Sequence, residues 1–346
     1  MSRWAVILAG GAGSRFWPLS TPARPKQLLP LVTDRPLLRD SFDRLTPIVD
    51  PKNILILTSA GLERALADLL PELPSDNFVV EPRPAGTAAA LAWAALEIAR
   101  RAGEDATMIS IHADWSIGDE EKFRATLIRA ERVAVETETL VTVGVVPTRP
   151  DPGFGYIQPV PGQPGAPASV KRFVEKPDRA AAAQMADAGY LWNSGIFVWR
   201  VSDFLAEART HAKELAGALG GDAGGGAASF FGSVRTPASV DVAVLERSAR
   251  VTVLPGEFGW DDVGTWSALS RVRPQDDAGN VTSGDVYVRG GGDNVVHSEA
   301  GTVVMYGVNN LVVVARDGLT LVTTTEKAAD LKSLLESLPQ SLRSPS

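Results

Sequence analysis

Short apolar runs alternate with longer amphipathic segments over residues 1–145. The apolar runs predict buried strands over residues 5–8, 53–58, 78–81, 107–111 and 140–145. The segments between them predict helices over 62–70, 87–101 and 120–136. Strands that are apolar throughout and alternate with helices are typical of a parallel sheet covered on both faces. The pattern therefore predicts an α/β fold with a mixed, mainly parallel sheet.

The pattern changes in the second half of the chain. A strand over 190–199 is interrupted by Asn193-Ser194-Gly195, which predicts either a bulge or a contact with a ligand. Residues 220–229 are rich in Gly and Ala and predict a loop or an insertion. From Asn280 onwards, short strands separated by Gly and Asn lead to a closing helix over 327–338. This pattern of short strands predicts a small stacked β domain. We therefore place the two domains at residues 1–275 and 276–346.

The first predicted strand opens into a glycine-rich stretch with two cations close by. Gly10, Gly11 and Gly13 follow it directly, and Arg15 and Lys26 come next. Unhindered backbone N–H groups form an anion-binding concavity, to which these cations add fixed charge. The dinucleotide fingerprint has a third Gly where Phe16 stands, and the Walker pattern Gly-Lys-Ser/Thr is missing. A purely structural turn is the alternative; the cations favour a phosphate-binding loop.

Composition and charge narrow the class of protein. The formal net charge is −7, whereas nucleic-acid-binding proteins usually carry a basic footprint. Cys is absent and only three His are present, which excludes thiol catalysis and makes a His-built zinc site improbable. No apolar run is long enough for a membrane span. We therefore expect a cytoplasmic protein without nucleic-acid or membrane partners.

Acidic residues stand at two predicted turns. Asp114 follows the fourth strand, and Asp261 and Asp262 precede a Val-Gly turn. Either position could simply be a solvated side chain or a helix cap. One or two carboxylates together with phosphate oxygens are what Mg²⁺ requires. We favour Asp262 over Asp261, because it directly precedes the turn. Further along, Pro177 is expected to hold Lys176 in an extended conformation.

Together these motifs resemble the nucleoside-diphosphate-sugar pyrophosphorylases, and within them the bacterial mannose-1-phosphate guanylyltransferases. The resemblance runs from Trp4 to Leu338, and its motifs are Leu8–Arg15, Pro25-Lys26-Gln27, Pro147–Pro150, Gly153–Ile157, Phe173–Pro177, Trp192–Phe197 and Phe258–Trp266. It implies a Rossmann-like nucleotide-diphospho-sugar transferase fold. It also implies that the C-terminal β domain is a small left-handed β-helix used in homodimerisation.

The resemblance implies a role for each matching residue. Nucleotide-binding residues would be Leu8, Ala9, Gly10, Gly11, Gly13, Ser14, Arg15, Lys26, Glu81, Gly86 and Thr87. Sugar-phosphate-binding residues would be Gly155, Tyr156, Glu175, Lys176 and Asn193. Mg²⁺ or another hard divalent cation would be coordinated by Asp114 and Asp262, and the catalytic residues would be Arg15, Lys26 and Lys176. Glu81, Gly86 and Thr87 would lie near the guanine.

The reaction implied is attack by the phosphate of α-D-mannose 1-phosphate on the α-phosphorus of GTP, which yields GDP-mannose and pyrophosphate. The chain departs from the family pattern at two places. It has Gly86-Thr87-Ala88-Ala89 where relatives usually have Asn-Thr-Ala-Pro, and Asp114-Trp115 where they usually have Asp-His. Two alternatives stay open: a pyrophosphorylase for another base or sugar, such as a GDP-heptose or dTDP-glucose producer, and a non-catalytic subunit that senses GDP-mannose.

Overall fold

The fold is described from a computed structural model that covers residues 1–11, 14–220 and 226–343, without the side chain of Ser14. The strands are β1 (Arg3–Leu8), β2 (Ile54–Ser59), β3 (Phe78–Glu81), β4 (Thr107–His112), β5 (Ser116–Ile117), β6 (Leu140–Val145), β7 (Tyr156–Pro159), β8 (Ala168–Val174), β9 (Leu191–Arg200), β10 (Val251–Gly256), β11 (Trp260–Asp261), β12 (Val281–Ser283), β13 (Val286–Arg289), β14 (Val295–Ser298), β15 (Val303–Tyr306), β16 (Leu311–Arg316) and β17 (Leu319–Thr324). The strands predicted over residues 1–145 are confirmed to within one or two residues at each end.

The α-helices are α1 (Leu37–Leu45), α2 (Glu63–Leu69), α3 (Thr87–Ala102), α4 (Glu120–Thr137), α5 (Arg179–Asp187), α6 (Val201–His211), α7 (Ala216–Leu219), α8 (Gly226–Ser233), α9 (Leu269–Val272), α10 (Lys332–Ser337) and α11 (Gln340–Arg343). A π-helical turn covers Asp241–Leu245. The predicted helices correspond to α2, α3 and α4. In the part of the chain that is described, no helix combines the length and apolar character needed to cross a membrane.

The described residues group into two compact units whose segments alternate along the chain. The first unit takes in residues 1–10, 42–112 and 119–260, and the second takes in 11–41, 113–118 and 261–346. The second unit therefore combines the C-terminal strands with the segment after the first strand. The division into domains at residue 275 stays a prediction.

The first unit is built on a mixed sheet. Among the described residues, its nine strands follow the order β3-β2-β1-β4-β9-β6-β10-β8-β7. Strand β1 pairs in parallel with β2 and β4, whereas β9 runs antiparallel to both β4 and β6. Strands β1, β2, β4 and β6 are buried along nearly their whole length, as expected for strands with helices on both faces. The α/β fold with a mixed sheet is confirmed.

The alanine-rich helix α3 packs closely on this sheet. Residues 88–92 are almost completely buried and belong to the same core cluster as Val6 and Leu55. Small side chains on the buried face let the helix backbone approach the strands closely, and Ala has the highest helix propensity. The start of α3 is thereby held firmly at the edge where β1 and β3 end.

Strands β12 to β16 of the second unit pair in parallel with strands that are not their neighbours in sequence, whereas β17 runs antiparallel to β16. Strand β14 pairs with β12 and β16, and β13 pairs with β15. Buried Asn280 and Asn294 stack in this arrangement, with Nδ2 of Asn294 donating to Oδ1 of Asn280 at 2.9 Å. Stacked asparagines satisfy the buried backbone groups at the bends between strands. The short strands predicted from Asn280 onwards are present.

Two local predictions are wrong. Residues Gly226–Ser233 form α8 rather than a loop; the preceding residues 221–225 lie outside the described chain. Phe230 and Phe231 pack against Trp93 at 5.2 and 6.3 Å between ring centroids, and burial of these aromatic rings stabilises a helix that the glycines alone would disfavour.

Lys176 is not extended: its φ is +46°. The following proline disfavours the right-handed helical region for Lys176, and here the backbone adopts a left-handed conformation instead. The strand β8 therefore ends in a sharp turn at this residue.

Candidate active site

Lys26 is the centre of a polar cluster in the second unit. Its side chain is only 8% exposed, and Nζ donates to Oδ2 of Asp114 at 2.9 Å and to the backbone oxygen of Asp262 at 2.8 Å. The ammonium also lies 5.8 Å from the centroid of the Phe16 ring. A buried ammonium requires such partners because its desolvation is costly. The fold therefore holds a fixed positive charge beside two acidic residues.

The turn that carries Asp262 is strained. Val263 is completely buried and has a φ of +46°, a conformation that is a genuine outlier for a β-branched residue. Oδ1 of Asp261 accepts the N–H of Val263 at 2.9 Å, and Arg271 binds both carboxylate oxygens of Asp261 at 2.7 and 3.0 Å. These contacts hold the turn in place, and Asp261 is thereby engaged in supporting it.

Asp262 and Arg15 approach each other over Gly264. A Cβ atom on Gly264 would lie 2.5 Å from Oδ2 of Asp262 and 3.2 Å from Nη1 of Arg15. Gly264 is therefore needed for this carboxylate and guanidinium to come together. Arg15 is exposed, and an exposed guanidinium can bind an anion.

The donor set of this cluster suits a hard cation that also binds a substrate. The described residues contain no group of three or more His, Cys, Asp or Glu side chains that could hold a metal ion by themselves. The Asp114 side chain is 36% exposed beside the ammonium of Lys26. The same ammonium donates to the backbone oxygen of Asp262. Two carboxylates fit Mg²⁺, which is commonly bound by one or two carboxylates plus phosphate oxygens and water.

The glycine-rich stretch has open space above its backbone. A Cβ atom at Gly10 or Gly11 would meet nothing within 4 Å, and Gly11 has a φ of +99°. Leu8 and Ala9 are buried, and the N–H of Ala9 extends the strand ladder to the oxygen of Leu57. Of the predicted phosphate-binding residues, Gly13 and the Ser14 side chain lie outside what the structure describes. The open space at Gly10 and Gly11 leaves their backbone accessible to a ligand.

The first unit places Glu81 at the end of β3. This carboxyl group is half-buried and, among the described residues, has no hydrogen-bond or ion-pair partner. Burial raises the pKa of Glu81 to about 7 because the charged form loses its hydration. A carboxyl group with such a pKa changes its charge near neutral pH and is a candidate for binding a ligand.

Gly86 and Thr87 at the start of α3 pack against the segment 238–240. Gly86 has a φ of +84°, and a Cβ atom there would lie 2.2 Å from the backbone oxygen of Ala238. Oγ1 of Thr87 accepts the N–H of Val240 at 3.0 Å. Glycine is thus required at position 86, since neither the backbone conformation nor the available space admits a side chain. The hydroxyl of Thr87 is engaged in the same contact.

Gly155, Glu175 and Asn193 come together in the first unit. A Cβ atom on Gly155 would lie 2.7 Å from Oε2 of Glu175 and 3.4 Å from Cβ of Asn193. The N–H of Asn193 donates to the oxygen of Gly155 at 2.8 Å, and the ladder between β6 and β9 is irregular beside Asn193. The predicted bulge is therefore present. Carboxylate and amide groups arranged in this way can bind sugar hydroxyls.

The other two residues predicted to bind the sugar phosphate are placed differently. Tyr156 is completely buried, and its hydroxyl donates to the oxygen of Asp151 and accepts the N–H of Asp151 at 3.1 and 3.0 Å. Its side chain therefore serves the fold. Lys176 is 65% exposed, and its Nζ lies 2.8 Å from Oε1 of Glu175. An exposed pair of this kind is weak, so the lysine is available for a phosphate.

Asp241 belongs to this cluster and was missed by the sequence analysis. It begins the π-helical turn, and its Oδ1 accepts Nδ2 of Asn193 at 2.7 Å. Burial raises the pKa of Asp241, and the nearby carboxylate of Glu175 raises it further. The available signal was a single acid inside the apolar run 240–245, because such an acid needs a partner when it is buried.

Arg149 belongs to the Pro147–Pro150 motif but was assigned no role by the sequence analysis; it braces the turn that precedes Gly155. Its guanidinium lies 5.5 Å from the centroid of Phe154 and 5.0 Å from that of Trp192, and it pairs with Asp151 at 2.9 Å. Cation–π contacts of this type fix the side chains concerned. The turn that carries Gly155 is thereby attached to β9.

Comparison with known proteins defines the class of protein. A family model described as nucleotidyl transferase matches residues 4–278. The chain belongs to the nucleotidyl transferase family. A protein from Klebsiella pneumoniae named mannose-1-phosphate guanylyltransferase is 36% identical over an alignment that covers 98% of this chain and 74% of that protein. The alginate biosynthesis protein AlgA of Pseudomonas putida is 35% identical over 97% of this chain and 71% of its own.

Solved structures agree with this assignment. A crystal structure described as mannose-1-phosphate geranyltransferase from Thermus thermophilus is 32% identical, with a TM-score of 0.88 over 97% of this chain and 99% of that one. A structure described as mannose-6-phosphate isomerase from Helicobacter pylori has a TM-score of 0.61 at 23% identity over 76% of this chain and 100% of that one, which shows a shared fold alone. The resemblance found in the sequence motifs is thus confirmed at the level of the family.

Proposed function

We propose that this chain is a mannose-1-phosphate guanylyltransferase, which makes GDP-mannose and pyrophosphate from GTP and α-D-mannose 1-phosphate. The main support is the cluster of Lys26 with Asp114 and Asp262, a fixed cation beside two candidate metal ligands in a member of the nucleotidyl transferase family. The names of relatives that align with nearly the whole chain support the base and the sugar.

In the proposed reaction, an oxygen of the sugar phosphate forms a bond to the α-phosphorus of GTP, and the bond from that phosphorus to the bridging oxygen of pyrophosphate breaks. The attacking oxygen is already an anion, so no general base is required. Lys26 and Arg15 would stabilise the negative charge that grows on the leaving pyrophosphate. Asp114 and Asp262 would hold Mg²⁺, which neutralises phosphate charge when bound.

Residues of the first unit would bind the sugar phosphate. Glu175 and Asn193 meet around Gly155 and would bind the sugar hydroxyls, while the exposed ammonium of Lys176 would bind the phosphate. Glycine at 155 lets Glu175 and Asn193 come together beside it, because a Cβ atom there would clash with Oε2 of Glu175. This arrangement supports the proposal that positioning, rather than covalent chemistry, accounts for the catalysis.

The test is a pyrophosphate-release assay over a panel of nucleoside triphosphates and sugar 1-phosphates. GTP with mannose 1-phosphate is expected to give the highest kcat/KM. A preference for dTTP with glucose 1-phosphate, or for a heptose phosphate, would replace the proposal with another pyrophosphorylase. Binding of GDP-mannose without turnover of any pair would indicate a sensing subunit.

The raised pKa of Glu81 predicts a pH-dependent affinity for GDP-mannose. A carboxylate accepts hydrogen bonds from the N–H donors of guanine, and its neutral form does so poorly. With a pKa of about 7, the ionised fraction rises about tenfold between pH 6 and pH 8, so Kd is expected to fall about tenfold over that range. Calorimetric titration measures it, with Glu81→Gln as the variant that should show little pH dependence. The same pH dependence in both proteins would exclude Glu81 from base binding.

We also propose that the C-terminal strands form a left-handed β-helix through which the chain dimerises. The parallel pairings of β12 with β14 and of β13 with β15 support a coiled arrangement. Tyr287, Val304 and Tyr306 on β13 and β15 are exposed by 64, 72 and 80%, an apolar face suited to a second copy.

Light scattering is expected to give a mass of twice 36.6 kDa for the wild type and a smaller mass for Val304→Glu, because a charge buried in an apolar interface is costly. Val160→Glu is the matched control, since Val160 is another exposed valine, 43% accessible, in the first unit. A monomeric wild type, or an unchanged mass for Val304→Glu, would contradict this interface.

A further inference from the structure

Residues 238–241 form a segment, here called the strap, that contacts the start of α3. The backbone oxygen of Ala238 accepts the N–H of Ala88 at 3.2 Å, and the N–H of Val240 donates to Oγ1 of Thr87 at 3.0 Å. The position of a Cβ on Gly86 is already occupied by Ala238, whose oxygen would be only 2.2 Å away. The strap therefore packs on the Gly86–Thr87 turn without an intervening side chain.

The other end of the strap fixes the orientation of Asn193. Oδ1 of Asp241 accepts one N–H of the Asn193 amide at 2.7 Å. The amide oxygen of Asn193 accepts the hydroxyl of Thr142 at 3.2 Å and the N–H of Gly195 at 3.3 Å. A side-chain amide has two N–H donors and one oxygen, so these bonds define which way it is turned. Among the described residues the second N–H of this amide has no partner, so it is left for a ligand.

The environment of Asp241 does not favour a purely stabilising role for this acid. Burial raises the pKa of its carboxyl group, and the carboxylate of Glu175 disfavours its ionisation further. Two acids placed close together cost folding free energy, and an apolar side chain within the run 240–245 would avoid that cost. An apolar replacement would lose the hydrogen bond to Asn193, together with those to the Ser239 side chain and to the backbone of Asp241 itself.

We propose that Asp241 is a positioning residue that orients Asn193 toward the sugar phosphate, and that the strap transmits the position of the Gly86–Thr87 turn to Asn193. This inference rests on the proposed function, in which Asn193 binds the sugar and Thr87 lies on the nucleotide side. One short segment would thus couple the two substrates through contacts within the first unit.

The first test compares Asp241→Ala with Asp241→Asn. Alanine is expected to raise KM for mannose 1-phosphate about tenfold, with KM for GTP and kcat within about twofold of the wild type, because one hydrogen bond to a ligand-binding group is lost. Asparagine can still accept from Asn193 and should restore most of the affinity. Asp187→Asn is the matched control: Asp187 is an exposed acid at the end of α5 in the same unit. If the alanine variant does not fold, Asp241→Leu, which is closer in size, replaces it.

A double-mutant cycle shows whether Asp241 acts through Asn193. In the wild-type background, Asp241→Ala should raise KM for mannose 1-phosphate. In the Asn193→Ala background it should change KM by less than about twofold, because the effects of substitutions at coupled residues are not additive. Full additivity would mean that Asp241 contacts the sugar itself and would overturn the positioning role.

Thr87→Val tests transmission along the strap, with Thr87→Ser as the variant that keeps the acceptor for Val240. The valine variant is expected to raise KM for mannose 1-phosphate about threefold or more, and serine should restore it. A change in KM for GTP alone would overturn the coupling. A wild type without guanylyltransferase activity would instead contradict the proposed function, which keeps the two failures distinct.

Discussion

Replacing Lys26 with alanine is expected to lower kcat for pyrophosphate release by about 10²- to 10³-fold. The ammonium is held against Asp114 and the backbone of Asp262, so it is already in place when charge develops on the phosphates. Such a preorganised charge stabilises the transition state without reorganisation at the moment of reaction. The free energy of unfolding should fall by less than about 2 kcal/mol, since only one side chain loses its contacts. Steady-state kinetics and urea denaturation measure the two quantities.

Two further variants sharpen the Lys26 experiment. Lys26→Met keeps a long, unbranched aliphatic side chain and should lose as much activity as alanine, which separates the charge from the packing. Arg24→Ala is the matched control, because Arg24 forms an exposed pair with Glu299 of the kind that contributes little. Near-normal turnover of the Lys26 variants would contradict the assignment of the phosphate-binding cluster.

Substitution of Asp262 is expected mainly to lower activity, whereas substitution of the adjacent Asp261 is expected mainly to lower stability. Asp262→Asn should lower kcat about 10²-fold or more and weaken the dependence on Mg²⁺, with stability nearly unchanged, because its carboxylate meets Arg15 over Gly264 and is the candidate metal ligand. Asp261→Asn should lower the free energy of unfolding by about 2–3 kcal/mol, since the partly exposed Arg271 loses its charged partner.

The same two variants provide each other's control. Activity is measured per folded molecule over a Mg²⁺ titration, and stability by the urea midpoint. Some activity is expected to be lost in Asp261→Asn as well, because Asp261 holds the N–H of Val263 in the turn that carries Asp262. The assignment of Asp262 would be wrong if Asp261→Asn kept full stability while losing its dependence on Mg²⁺.

Much of the first unit could be predicted because its signals are local. The apolar runs at 5–8, 53–58 and 107–111 became the buried strands β1, β2 and β4, since each run is long enough for one strand and is followed by a helical period. The alanine-rich stretch after Thr87 became α3 for the same reason. Helix α8 was missed because its stability comes from Phe230 and Phe231 packing on Trp93, which no local pattern reveals.

Predicting the polar clusters required motifs for their residues and the tertiary structure for their contacts. The sequence motifs pointed to Lys26, Asp114 and Asp262, whose positions are distant in the chain but related by the family pattern. That Lys26 binds the carboxylate of one and the backbone oxygen of the other follows from the fold. Asp241 escaped notice because no motif contains it, and its role is visible only through Asn193.

The sequence by itself determined the alternation of strands and helices and the membership of a nucleotidyl transferase family. It also determined which residue types are available for phosphate and metal binding. Each of these can be predicted from a local pattern or motif. Only the tertiary structure decided which of the two adjacent acids supports the turn and which faces Arg15, and that the segment 238–241 joins Thr87 to Asn193. The physical reason is that hydrogen bonding and burial depend on neighbours that are remote in the chain, and these neighbours are set by packing.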